Sequence, residues 1–275
     1  MQANAPQGRS RGADVAGSSG TEAATRVADV LLLFVGGPNT LGVSEIAREL
    51  GLSKAVVHRI LQSLTSRSLV RVDPVTRGYR LGPGAIALGA RALRDFDLRA
   101  AARPTLRRLR DLTGETTTLS MLLEGSRLYL DQYESPREIK MTVPLGRPFP
   151  LHAGASSRAM LAFLPDQTVE RVIAAGLERM TPETVLDPDE LRGRLASTRA
   201  SGFATSRGER QDGAGSVAAP VFGVDGEVMG AISVCGPVSR FDREAVDRYV
   251  PLVRSAAAEI SRSLGWDGEG TASPA

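Results

Sequence analysis

A chain of 275 residues with 42% apolar and 24% charged side chains has the length of one large or two ordinary domains and a globular composition, which excludes wholesale disorder, collagen and a coiled-coil rod. Its net charge of +3 is unevenly spread. Residues 1 to 84 carry +4, residues 85 to 113 carry +4 and residues 114 to 275 carry −5, so the front of the chain is suited to meet a polyanion and the back is not.

Other classes fall away on elementary grounds. No uninterrupted apolar run exceeds the six residues of Val30 to Val35, far short of the roughly 20 that span a bilayer, so no membrane partner is expected. Met1 to Gly20 lacks the apolar block of a signal peptide and reads as a disordered tail, so the expected location is the cytoplasm. One cysteine, Cys235, permits no internal disulfide, and two histidines, His58 and His152, leave too few soft ligands for zinc. No metal or cofactor is expected.

The first periodic segment, Thr21 to Phe34, has helical apolar spacing and stops at Gly36-Gly37-Pro38-Asn39. Ser44 is expected to cap a second short helix, with Glu45 in its first turn and Ile46, Ala47 and Leu50 on its buried side; Gly51 ends it. Ser53 is expected to cap a third helix from Lys54 to about Arg67. Two short helices around a glycine turn have the form of a helix-turn-helix. On the third helix, Val56, Val57, Ile60, Leu61 and Leu64 share one side; Ala55, His58, Arg59 and Gln62 share the other, with Lys54 at its edge. Leu69 to Val72, a turn at Asp73 to Gly78 and Tyr79 to Leu81 form a two-stranded wing.

From Gly84 to about Thr113 the pattern is helical, with Pro104 expected to kink it or to begin a new helix. Beyond it, strands are expected over Thr117 to Leu123, Arg127 to Tyr133, Lys140 to Val143, Ser216 to Phe222 and Glu227 to Val234. Helices are expected near Ala155 to Phe163, Gln167 to Ala175, Asp189 to Ala200 and Asp242 to Leu264. A hairpin turn at Val224 to Glu227 joins the last two strands, which points to an α+β domain with an antiparallel sheet.

The order of Ser44-Glu45-Ile46-Ala47, Gly51-Leu52-Ser53-Lys54, Val57-His58-Arg59-Ile60-Leu61, Tyr79-Arg80-Leu81-Gly82 and Thr113-Gly114-Glu115-Thr116 resembles IclR-type bacterial transcriptional regulators. So do Pro144-Leu145-Gly146, Phe149-Pro150-Leu151-His152-Ala153, Gly202-Phe203-Ala204, Gly208-Glu209 and Ala231 to Pro237. The resemblance covers about residues 21 to 265. It implies an α+β protein with an N-terminal winged helix-turn-helix over residues 21 to 83, a linker helix over 84 to 98 and a C-terminal GAF-like effector-binding domain over 99 to 265, between disordered tails at 1 to 20 and 266 to 275. It also implies a homodimer or homotetramer that binds double-stranded operator DNA and takes a small organic acid or aromatic metabolite as effector.

A recognition helix reads base edges from its N-terminal half, and Arg or Lys on guanine is the commonest specific pairing. Lys54 and Arg59 match DNA-contacting positions of the family, with Ala55, His58 and Gln62 beside them. Ala55-Val56 replaces a frequent Ser-Thr pair and so removes two hydroxyl donors. Ser44 and Ser53, at helix N-termini, and Arg77, at the wing tip, are phosphate candidates. Two plainer readings stand beside these: Arg59 paired with Glu45 or Glu49, and Arg77 as a solvated loop charge.

Matched to the family's ligand-contacting segments, Ala155, Ser156, Ser206, Ser216, Ser233 and Cys235 would line the effector pocket. The turn His152 to Ser156 leads into a helix whose free N–H groups could hold a carboxylate without any side-chain cation. The plainer reading has Ser216 and Ser233 satisfying sheet neighbours and Cys235 as a small buried filler. His152 with Cys235 does not complete a metal site, and His152 with Ser156 lacks a nucleophile elbow and an orienting third group. A constitutive DNA-binding protein with an empty C-terminal domain, and an enzyme carrying a winged-helix module, remain the alternatives to a ligand-responsive regulator.

Overall fold

The computed structural model describes residues 18–36, 38, 40–94, 97–123 and 125–268. Most of both tail segments, 1–17 and 269–275, lies outside the described residues. The chain divides into two compact units, Met1–Leu88 and Gly89–Ala275.

In the first unit α1 (Ser18–Gly36) begins inside the stretch read as tail. It contributes the fully buried Val30 to a core shared with Leu41, Ile46, Val57, Leu61, Leu64 and Val70. Helix α2 (Val43–Leu50) is capped by Gly42 and not by Ser44, which lies exposed in its first turn. The reason lies one residue upstream: Leu41 is fixed by paired backbone hydrogen bonds with Tyr79, both 2.9 Å, so Gly42 alone makes the turn into the helix. Its N–H reaches the Glu45 carboxylate at 3.4 Å. Gly51 closes α2 with φ 63°, a left-handed conformation that glycine adopts without a Cβ clash.

Helix α3 (Lys54–Ser66) is capped by Ser53, whose Oγ accepts from the Val56 N–H at 3.4 Å. It buries Val57, Ile60, Leu61 and Leu64, the repeat of three and four residues that puts side chains on one face. Strands β1 (Val70–Val72) and β2 (Tyr79–Leu81) pair antiparallel with Val70 opposite Leu81. Their turn is organised by Asp73. Its Oδ1 accepts from the N–H groups of Val75 (3.0 Å) and Thr76 (2.9 Å) and from the Thr76 hydroxyl (3.2 Å), and its other oxygen faces Arg80 at 3.4 Å.

The division between the units falls within α4 (Pro83–Arg94). Helix α5 (Asp97–Thr113) opens the second unit's core with Leu98, fully buried, so Leu98 belongs to that core and not to the linker expected over 84 to 98. Pro104 lies inside α5 and does not begin it. The sheet is six-stranded and antiparallel, in the order β5-β4-β3-β8-β7-β6. Its strands are β3 (Thr116–Leu123), β4 (Ser126–Tyr133), β5 (Pro148–Pro150), β6 (Ala204–Arg207), β7 (Ala214–Phe222) and β8 (Val228–Pro237). Helices α5 and α9 (Arg243–Ser263) pack on one face through Leu106, Leu119, Val217, Ile232 and Val253. Helices α6 (Ala155–Leu161), α7 (Asp166–Ala174) and α8 (Pro188–Ser201) cover the other through Ala159, Val169, Leu191, Ala218 and Ala231.

Three expectations are corrected here. Lys140 to Val143 form no strand. The Gln132 amide instead bonds both backbone groups of Val143, at 3.1 and 2.9 Å, which satisfies them without a ladder partner. Strands β5 and β6, three and four residues long, are too short for alternation to announce them. Trp266, read as tail, stacks on Phe222 with ring centroids 4.9 Å apart. The hairpin between β7 and β8 closes through Gly223 N–H to Glu227 O, 2.9 Å.

The backbone N–H of Thr76, together with the other donors at Asp73, holds the Asp73 carboxyl below its ordinary value. A carboxyl lowered on folding contributes stability that is full above its unfolded pKa of about 3.9 and lost as pH falls through the folded value. The protection of the Val75 and Thr76 amides, taken as their exchange relative to the unstructured chain at the same pH, should therefore hold at neutral pH and be lost only below about pH 4. The variant Asp73→Ala, which removes the Oδ1 acceptor, should lose that protection at both amides at every pH.

Candidate nucleic-acid interface and ligand cleft

On α3, the side opposite the core is open. Lys54, Ala55, His58, Arg59 and Gln62 are all exposed, at the spacing that gathers them on adjacent rows of one face. Glu45 is turned to Gly42, and Glu49 pairs with Arg48 at 3.5 Å. The structure therefore does not hold the internal ion pair considered for Arg59. Ser53 serves as a cap, Ser44 stands exposed in the first turn of α2, and Arg77 is exposed at the tip of the wing with φ 58°. That φ is uncommon for a residue with a Cβ.

In the second unit the pleat of the sheet gathers the other candidates. Ser206 pairs with Ser216, and Ser216 with Cys235, in one row across β6, β7 and β8; Ser233, two residues from Cys235, shares its face. Ala155 and Ser156 of α6 complete the set, and all six line one cleft of about 430 Å³, counted out to open solvent. Ser233 also hydrogen-bonds Thr118 across the ladder at 2.7 Å, as the plainer reading has it. Burial pushes the Cys235 thiol up to about 12, so it stays protonated. A second concavity, about 690 Å³ between α8 and α9, is walled by Phe163, Phe222 and Trp266.

The cleft contains residues that sequence reasoning missed: Arg127, Tyr129, Met141, Val143, Arg210 and Gln211. Two of them, Arg127 and Arg210, bring side-chain cations to a cleft that sequence reasoning furnished with backbone N–H groups. Arg127 is 1% exposed and donates to Ser157 Oγ (2.6 Å), Ser120 Oγ (3.2 Å) and the Tyr129 hydroxyl (3.0 Å). Its inward position was hidden because Leu128 and Leu130 compete for the buried face. A bulge resolves the competition: Leu119 pairs with Asp131 but Ser120 with Tyr129, so Leu130 is the extra residue. Arg127 and Tyr129 then face the cleft while Asp131 pairs with Arg99 of α5 at 2.9 Å.

The free N–H groups expected at the turn into α6 are partly taken. The Gly154 N–H bonds Glu209 at 3.2 Å, and Glu209 is buried against Arg158 and, at 3.0 Å, Arg194. This network fastens the loop that carries Arg210 to α6 and α8. The His152 ring bonds the Glu178 carbonyl at 2.9 Å. Among the described residues no group of three or more His, Cys, Asp or Glu could hold a metal ion, and no helix is long and apolar enough to cross a membrane.

Two family models match the chain: the IclR helix-turn-helix domain over residues 23–74 and the C-terminal domain of bacterial transcriptional regulator IclR over residues 90–262. The HTH-type transcriptional regulator BhcR of Paracoccus denitrificans is 35% identical, over 93% of this chain and 92% of that protein. The solved structure of an IclR transcriptional regulator from Alicyclobacillus acidocaldarius superposes with TM-score 0.79 at 32% identity, over 88% of this chain and 98% of that one. An IclR homologue from Microbacterium hydrocarbonoxydans, solved with 4-hydroxybenzoate, gives TM-score 0.74 at 27% identity, over 88% and 98%. A winged helix-turn-helix with an open third helix, followed by a sheet domain with a polar cleft, is thus found together with both family matches: the chain belongs to the IclR family of DNA-binding bacterial transcriptional regulators.

Proposed function

We propose that this regulator acts in the cytoplasm as a homodimer or homotetramer on a roughly palindromic operator, with DNA binding tuned by a small organic acid or aromatic metabolite held in the cleft of the second unit. The observation that carries the DNA reading is the α3 flank: Lys54, His58, Arg59 and Gln62 are exposed and make no hydrogen bond or ion pair through their side chains among the described residues. A cation left free on a recognition helix is available to base edges and phosphates. In a dimer the two α3 helices would meet half-sites one helical turn, about 34 Å, apart. The ligand reading is supported by the cleft and by the relative solved with 4-hydroxybenzoate.

Lys54 and Arg59 are assigned to base reading, with Ala55, His58 and Gln62 alongside. Ser44, Ser53 and Arg77 are assigned to phosphates. Ala155, Ser156, Ser206, Ser216, Ser233 and Cys235 are assigned to the effector. Arg59→Ala should lose about 1 to 3 kcal/mol at one base pair while binding random DNA as before. Arg77→Ala should weaken specific and random DNA alike and reduce the slope of log affinity against log salt by about 0.9. Titration of operator and scrambled duplexes at several salt concentrations separates the two; equal losses on both duplexes for Arg59→Ala would remove it from base reading.

A ligand shifts DNA affinity only by binding one arrangement of the protein better than another. We assign the helical segment around residues 84 to 104 to carrying that difference. Replacing residues 85 to 94 by a flexible linker, which spares the buried Leu98, should leave ligand binding intact and abolish its effect on operator affinity. A retained effect would overturn the assignment.

A further inference from the structure

We propose that Arg127 and Arg210 determine the effector specificity of the cleft: together they hold the ligand's carboxylate, which supplies a counter-charge that the protein does not. The proposal rests on the cleft being the effector site and adds which atoms recognise the ligand and which part of it they grip.

The other deeply buried charges of the second unit are neutralised within the protein. Glu115, fully buried, is met by Arg137 and Arg240; Glu209 by Arg158 and Arg194; Asp131 by Arg99. Arg127 is the exception. At 1% exposed, its three hydrogen-bond partners among the described residues are neutral hydroxyls, and no carboxylate of those residues pairs with it. Each of its three nitrogens has one such partner, so two of its five N–H bonds have no acceptor among the described residues. A guanidinium removed from water without an anion is costly to hold.

A second cation aggravates this. Arg210 lies over the Tyr129 and Phe149 rings, 5.6 and 5.0 Å from their centroids, and Arg127 lies over the same two rings at 4.3 and 5.3 Å. Arg210 has no carboxylate partner among the described residues; its Nη2 donates to the Gln211 side chain at 3.1 Å. Burial lowers the proton affinity of Arg127, and the nearby Arg210 charge adds to that. Two guanidinium groups stacked on one aromatic pair at the wall of a cleft, with no acid between them, form an anion site that only a ligand completes. The planar N–H fork of arginine matches a carboxylate in particular. Ser206 and Ser216, on strands of the same sheet, and Ser156 of α6 also line the cleft and can bond further oxygens of the same molecule.

The test uses the full-length protein, thermal-shift measurements and calorimetry with two acid and amide pairs: 4-hydroxybenzoate with 4-hydroxybenzamide, and lactate with lactamide. At least one acid should raise the melting temperature and its amide should not; which acid does so tells an aromatic from a compact hydroxy-acid ligand. Arg210→Gln, at a half-buried position, should melt like the unliganded parent protein and bind that acid about 30-fold or more weakly, the scale for removing one partner of a buried charge pair. Arg127→Lys, which keeps the charge and loses the fork, should weaken it too; if that variant does not fold, Arg210→Gln decides. An amide that binds as well as its acid, or undiminished binding by Arg210→Gln, overturns the two-arginine assignment and leaves the effector reading standing. No response to either acid overturns the carboxylate proposal, and the effector reading is then judged by whether neutral metabolites alter operator binding.

Discussion

A sheet covered by helices on both faces must bury two sets of side chains at once, and it tolerates buried polar groups only where each finds a partner. In the second unit that constraint sorts the strands. Positions such as Leu119, Val217 and Ile232 face α5 and α9, and the alternate positions face α6 to α8. Toward one end of the second face the apolar side chains give way to serine, cysteine and arginine, and there the helical cover leaves a cleft. The site is the place where close packing is relaxed and polar groups replace it.

The same constraint explains the arginine network. Most buried acids of the unit are clamped by arginines from other elements, which ties distant parts of the chain together: Glu115 links β3 to Arg137 and Arg240, and Glu209 links its loop to α6 and α8. Breaking one such partner leaves the other charged and buried, so these pairs act as positional locks more than as sources of net stability. Arg127 departs from the pattern, and its departure falls on the cleft wall.

The first unit solves a different problem with fewer residues. A short α2, a glycine in the left-handed region, and α3 bury one stripe each and share a small core with α1 and the wing. Because α3 needs only its Val57, Ile60, Leu61 and Leu64 face for that core, the Lys54, His58, Arg59 and Gln62 face carries no structural duty. The Asp73 carboxylate stabilises the wing turn by accepting from the turn's backbone N–H groups, and Arg77 stands exposed at the tip.

Local chemistry determined much of this before folding. Apolar periodicity located the helices, the glycine at position 51 and the cap at Ser53 located the turn between α2 and α3, and alternation found the long strands. The likeness of short motifs to one family supplied six cleft residues, four brought together by the pleat and two by α6. Tertiary structure decided the rest. The cap moved from Ser44 to Gly42 because Leu41 is bound to a strand more than thirty residues away; Val143 avoided a ladder because a glutamine side chain reached it; and Arg127 turned inward because of a bulge that depends on how β3 and β4 pair. Each of these is a contact between different elements, from about ten to nearly forty residues apart, and a periodicity read within one element carries no information about which outside group will satisfy a backbone N–H or which face a bulge will select.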